Sequence, residues 1–293
     1  MEKNILDLIH ERAVLLDGGM GTELMMQGLP EGACPEKWNI ERPDAVKAVH
    51  AAYFEAGSDA VLTNSFGGNR IKLAAHGEEE HVVEWNAAAA RLAREVAPAG
   101  SFVAGSMGPT GKFLKPQGEF TEQEFEDVFA EQAEALTAGG ADFLIVETQY
   151  DLREALAAVK GAKKTCSLPV FATMTFNNLP RGFFTLMGNT AAQCVEGLER
   201  AGVRAVGANC TLNSEEMVDV ARILCGLTRL PIIAKANAGK PVLDSDGHVF
   251  YSQGLEEYVR FVPDLLAAGA NVIGGCCGTG PGHIRRMAEF IKR

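Results

Sequence analysis

One phrase recurs four times along these 293 residues, and it fixes how the chain can fold. The copies are Glu55-Ala-Gly-Ser-Asp-Ala-Val-Leu-Thr-Asn64, Ala138-Gly-Gly-Ala-Asp-Phe-Leu-Ile-Val-Glu147, Arg200-Ala-Gly-Val-Arg-Ala-Val-Gly-Ala-Asn-Cys210 and Ala267-Ala-Gly-Ala-Asn-Val-Ile-Gly-Gly-Cys276. Each reads as a helix end, a glycine suited to a left-handed cap, and a continuous apolar run. A run without alternation fits a parallel strand buried on both faces. Four more runs lie between the copies, at 13–17, 102–107, 169–174 and 231–234. Helical patterns separate the runs. Thr121-x-x-Glu124 opens a helix over 125–138, and Asn213-x-x-Glu216 opens one over 217–227, both as capping boxes. Eight strands alternating with helices predict an α/β fold: a single (β/α)8 TIM-type barrel over residues 1–293. A doubly wound sheet is the alternative, but it usually has fewer strands.

In such a barrel the chemistry sits at the C-terminal strand ends. The residues predicted there are Asp17, Asn64, Glu147, Met174, Thr175, Cys210, Asn237, Cys276 and Cys277. Cys210 ends one apolar run, and Cys276 and Cys277 end another. Three thiolates suit a catalytic zinc with its fourth position open. A soft metal in a thiolate site suits a soft substrate atom such as sulfur. Two adjacent cysteines reach one metal only if the backbone turns, and Gly274, Gly275 and Gly278 permit that.

The charge balance narrows the partners. A net charge of −11 argues against nucleic acid and against anionic membranes, since both require a basic patch. No apolar run approaches the ~20 residues of a membrane helix. The N-terminal residues mix acidic and apolar side chains and read as no signal peptide, so the expected location is cytoplasmic. There the seven cysteines are thiols or metal ligands rather than disulfides. Cys34, Cys166, Cys194 and Cys225 sit in no motif and read as small buried hydrophobes. None of the six histidines has metal-ligand spacing, and Trp38 and Trp85 read as packing residues. Gly18-Gly-Met-Gly lacks the spacing of a nucleotide loop.

Seven stretches carry a family resemblance: Leu16-Asp-Gly-Gly-Met-Gly-Thr-Glu23, Thr63-Asn-Ser-Phe66, Gly108-Pro-Thr-Gly111, Val146-Glu-Thr148, Gly207-Ala-Asn-Cys210, Asn237-Ala-Gly-Lys-Pro241 and Gly274-Gly-Cys-Cys-Gly-Thr279. In this order they resemble the zinc-dependent homocysteine S-methyltransferases. The Met174-Thr-Phe and Asn237-Ala-Gly-Lys-Pro241 stretches look most like the homocysteine-binding module of cobalamin-dependent methionine synthase. The resemblance implies one Zn2+ per chain on Cys210, Cys276 and Cys277, and homocysteine as methyl acceptor. It implies a substrate pocket of Asp17, Gly18, Gly19, Thr22, Asn64, Glu147, Asn209 and Asn237. The glycine-rich turn would offer N–H groups to the substrate carboxylate. Asp17 and Glu147 would take its ammonium. For Glu147 the alternative is a structural ion pair with a neighbouring Arg or Lys. The three asparagines either orient ligands and substrate or simply form turns. Lys235 departs from the acidic residue that this module carries, so no role is read for it.

The donor is not written in the residues. The 293 residues hold neither a cobalamin domain nor a folate barrel pattern. A methylcobalamin donor, free or on a corrinoid partner, is expected, with loops 112–118 and 177–188 at its docking face. A small donor of the S-methylmethionine or betaine type is the alternative. A non-catalytic zinc- or thiol-binding module is the reading from a different class.

Overall fold

The computed structural model describes residues 4–243 and 249–292. Eight parallel strands make the frame: β1 (Val14–Leu15), β2 (Ala60–Leu62), β3 (Phe102–Met107), β4 (Phe143–Gln149), β5 (Val170–Met174), β6 (Ala205–Asn209), β7 (Ile232–Ala236) and β8 (Ala270–Gly275). Their order is β1-β8-β7-β6-β5-β4-β3-β2, so the first and last strands are neighbours. The order never reverses, which excludes the doubly wound sheet. The ring nearly closes between β1 and β2. There the Asp59 N–H donates to Leu15 O at 2.7 Å, and the Leu62 N–H donates to Asp17 Oδ2 at 2.7 Å. This is the (β/α)8 barrel that the fourfold phrase predicts.

The apolar runs are continuous because each strand has two buried faces. Phe143, Ile145, Phe171, Ile233 and Val272 point inward and fill the barrel. Leu144, Val146, Ala172 and Ile273 point outward against the helix layer. Helix Ile5–Glu11 packs Ile5, Leu8 and Ile9 onto the inner cluster and so plugs the N-terminal end. The glycine of each recurring phrase takes positive φ, at Gly57, Gly140, Gly202 and Gly269. In the second copy the left-handed residue is thus the second of its two glycines.

Both capping boxes form. Thr121 caps helix Glu122–Ala138, and Asn213 caps Ser214–Cys225. The helices start directly after their caps, three residues earlier than the apolar pattern suggests, because the polar first turn is already helical. Two short hairpins decorate the C-terminal end: Asn177–Leu179 with Gly182–Phe184 after β5, and Pro241–Leu243 with Val249–Tyr251 after β7. Among the described residues no helix is long and apolar enough to cross a membrane.

Candidate metal centre and substrate cavity

The ends of β6 and β8 leave the ladder by tight turns, and these turns aim the cysteines. Cys210 has φ +63° and Thr211 φ +61°, a region that residues with a Cβ seldom enter. The Cys210 N–H still donates to Lys235 O at 3.0 Å, while Leu212 N–H folds back onto Cys210 O at 2.6 Å. After β8, Cys276 N–H donates to Ala236 O at 2.8 Å, and Thr279 Oγ1 donates to Cys276 O at 2.7 Å. Gly278 continues this turn at φ +80°. A Cβ there would lie 2.3 Å from the Tyr251 ring, so only glycine fits beneath the second hairpin.

These turns bring the three sulfurs of Cys210, Cys276 and Cys277 within 4.8 Å of one another. Among the described residues no other His, Cys, Asp or Glu group comes together this closely. Three sulfurs on a tetrahedral zinc, each about 2.3 Å from the metal, stand about 3.8 Å apart. The cluster therefore fits the ion that the sequence implies. Without a cation the thiols hold their protons. Cys276 is pushed up to about 12, first by its contact with Cys210 and then by burial. At Cys210 the contact with Cys276 pulls down, but Cys277 and burial raise the group to about 11. A divalent cation reverses this balance by favouring thiolate.

Asn209 locks the cluster from behind. Its Oδ1 accepts from Thr148 N–H at 2.8 Å and Thr173 Oγ1 at 2.7 Å. Its Nδ2 donates to Thr148 Oγ1 at 2.7 Å and reaches Cys276 Sγ at 3.7 Å. Thr148 also sits at positive φ, +60°. All non-glycine residues with positive φ among the described ones, Thr148, Cys210 and Thr211, thus lie at this rim. Strain collected in one place marks a functional site.

The three cysteines form part of the wall of a cavity of about 480 Å³, large enough for a small-molecule substrate. Of the substrate residues that the resemblance implies, Gly18, Gly19, Thr22, Asn64 and Glu147 line it. Asp17, Asn209 and Asn237 do not line it. Asp17 is fully buried behind the wall; burial first of all lifts its carboxyl to about 7, against a pull from Lys235. Its Oδ1 has no partner among the described residues. Asn237 is buried too, its N–H bonded to Leu212 O and its Oδ1 unpartnered among those residues. Asn64 spends its amide on Pro35 O (2.7 Å) and Asn39 Oδ1 (3.0 Å), which ties the 35–39 segment to the end of β2. In the glycine turn, Gly19 N–H is taken by Thr279 O at 2.9 Å.

Glu147 lines the cavity and also forms the ion pair considered as its alternative role. Its Oε1 accepts from Ser106 Oγ at 2.6 Å, and its Oε2 faces Lys235 Nζ at 3.0 Å. Lys235 is only 3% exposed and lines the cavity. Sequence reasoning left it without a role, though a lysine inside the apolar run of β7 is the kind of signal that points to a buried partner. Cys34, Phe66, Lys72, His76 and Tyr251 also line the cavity. Cys34 donates to Glu36 Oε2 at 3.2 Å, and burial with Glu36 pushes its thiol up to about 12, which keeps it inert.

Comparison with known proteins places the chain in a family. A family model described as homocysteine S-methyltransferase matches residues 14–291. The chain is 34% identical to methionine synthase of Mycobacterium tuberculosis (strain ATCC 25618 / H37Rv), across 99% of this chain and 25% of that protein. It is 32% identical to methionine synthase of Mycobacterium leprae (strain TN), across 100% of this chain and again 25% of the relative. The chain therefore spans about a quarter of the length of these two relatives. The metallated form of the Escherichia coli homocysteine methyltransferase MmuM superposes with a TM-score of 0.81 at 26% identity, covering 97% of this chain and 98% of that one. The match runs from β1 to the last helix and takes in all three clustered cysteines, so the chain belongs to the homocysteine S-methyltransferase family.

Proposed function

We propose that this chain transfers a methyl group to the sulfur of homocysteine, giving methionine, with one zinc ion held by Cys210, Cys276 and Cys277. The observation that carries the reading is the convergence of three sulfurs on the wall of a substrate-sized cavity. A zinc ion held by these three cysteines would supply Lewis-acid chemistry that favours the thiolate form of a substrate thiol near neutral pH. The chain does the rest. Asn209 and its threonine partners orient Cys276. Glu147 offers a carboxylate to the substrate ammonium, beside Asp17 at the back of the wall. The walls exclude water and hold the sulfur toward the cavity mouth, where a donor can approach in line.

For the donor we propose methylcobalamin, free or on a corrinoid partner. The relatives named methionine synthase support this, as does the rim. Among the described residues, eight of the twelve exposed large apolar side chains follow the C-terminal strand ends: Met25, Met26, Phe66, Phe113, Leu179, Leu186, Val242 and Phe250. Phe113, Leu179 and Leu186 belong to the segments 112–118 and 177–188 expected at a docking face. A small donor is the second reading, favoured by the likeness to MmuM over almost its whole chain. Reduced, metal-ready thiols suit a cytoplasmic location. The test is zinc content, followed by loss of homocysteine thiol with methylcobalamin and, separately, with S-methylmethionine and betaine. Zinc near one per chain and turnover with a cobalamin donor are expected. Turnover with a small donor alone selects the second reading. Zinc without any turnover leaves a binding module.

A further inference from the structure

The cavity floor carries a buried pair of opposite charges. Lys235 on β7 and Glu147 on β4 are 3% and 6% exposed, both line the cavity, and their charged atoms stand 3.0 Å apart. Burying two charges costs more than their attraction returns unless the remaining donors and acceptors are satisfied. Glu147 is satisfied at both oxygens, by Ser106 and by Lys235. Lys235 is not. An ammonium has three donors, and among the described residues its one hydrogen bond goes to Glu147. Asp17 adds attraction from behind the wall.

The head of an α-amino acid presents the complementary pair, an ammonium and a carboxylate on one carbon. Laid antiparallel on Lys235 and Glu147, it alternates four charges and fills the unused donors of Lys235. Two other groups in the lining are less well placed for a substrate carboxylate. Lys72, the other lysine in the lining, is exposed. Gly19 N–H is already taken by Thr279 O.

We propose that Lys235 determines substrate specificity in this chain, its ammonium receiving the α-carboxylate of an amino-acid thiol while Glu147 receives the α-ammonium. This assignment rests on the homocysteine reading above and adds what the floor recognises: a zwitterion, rather than an amine alone.

The test is calorimetric titration of the zinc-loaded protein with three thiols: homocysteine, 3-mercaptopropan-1-amine, which lacks the carboxylate, and 4-mercaptobutanoate, which lacks the amine. Wild type should bind homocysteine at least about tenfold tighter than 3-mercaptopropan-1-amine, the scale of one charge-assisted hydrogen bond. Lys235→Met should shrink that preference to within about twofold, and Lys235→Arg should keep most of it. A merely structural lysine weakens all three thiols together and leaves the ratio unmoved. Should Lys235→Met fail to melt cooperatively, the double variant Lys235→Gln/Glu147→Gln removes both charges at once and should bind all three thiols alike. An intact carboxylate preference in either variant overturns the assignment. Binding of none of the three thiols by wild type overturns the homocysteine reading and this assignment with it. Thiol binding with no Lys235-dependent preference overturns this assignment alone.

Discussion

Two aspartates bridge the same β1–β2 seam at opposite ends of the barrel, and they are treated oppositely. Asp59, at the N-terminal end, accepts from Leu15 N–H at 2.9 Å and pairs with Arg12 at 2.7 Å and Lys292 at 2.8 Å. Burial works against its ionised form, but Arg12 and the other partners overcome it, and the carboxyl titrates below its ordinary range. Asp17, at the C-terminal end, has Leu62 N–H on one oxygen and no partner on the other among the described residues. Burial lifts it to about 7. The N-terminal end also has a helical plug of Ile5, Leu8 and Ile9. The C-terminal end collects the non-glycine residues with positive φ among the described ones, the clustered thiols and the unpartnered oxygens of Asp17 and Asn237. One end of the barrel closes the fold. The other stores unsatisfied polar groups and strain where a ligand can use them.

The sharpest way to break this division is to change the sulfurs. Cys276→Ser or Cys277→Ser should strip zinc and lower methyl transfer by at least about 100-fold, beyond the usual cost of losing an outer-shell partner. The thermal midpoint of the metal-free protein should hardly move, because the core lies elsewhere. Metal analysis and calorimetry of the same samples check both halves. Full zinc retention in both variants would sink the ligand assignment.

Asn209→Ala tests the layer behind the metal. It should weaken zinc binding roughly 10- to 100-fold, since it frees Cys276, Thr148 and Thr173 together. Competition with a chromophoric chelator measures this. Unchanged zinc affinity would reduce Asn209 to a turn former.

The smallest effects come from the aspartates, and their signs differ. Asp59 titrates below its unfolded value, so its stabilisation is present above about pH 4 and is lost as pH falls through the folded value. Asp59→Asn should cost about 1–2 kcal/mol at pH 7, limited by the partial exposure of Arg12 and Lys292. Asp17 titrates above its unfolded value, so ionising it removes stability as pH rises from about 4 through about 7. Asp17→Asn should therefore leave stability unchanged or higher at pH 8, while weakening homocysteine binding and sparing zinc. Denaturant unfolding of both variants across pH 5–8 reads the two signs. Equal destabilisation by both would erase the distinction between the ends.

The frame was legible because the physics is local and repeated. A parallel strand buried on both faces leaves a continuous apolar run, and a capped helix end leaves a glycine. The hairpins were not legible. Their strands are three residues long, and Asn177-Asn178-Leu179 shows no alternation to read. In the site, Cys210, Cys276, Cys277 and Glu147 stood out because each polar or thiol group ends a buried run. The asparagines did not sort themselves. Only the folded chain separates Asn209, aimed at Cys276, from Asn64, which holds the helical 35–39 segment, and from Asn237, which lies off the cavity. Lys235 was opaque for a similar reason, since its partner Glu147 lies 88 residues away.

The account stands or falls on sulfur at the metal. Zinc K-edge X-ray absorption on the zinc-loaded protein, without and then with homocysteine, counts the sulfur neighbours directly. Three sulfurs at about 2.3 Å plus one lighter atom are expected at first, and four sulfurs once homocysteine is added. A sulfur count that stays unchanged while homocysteine is bound, or a zinc shell of nitrogen and oxygen alone, would contradict it.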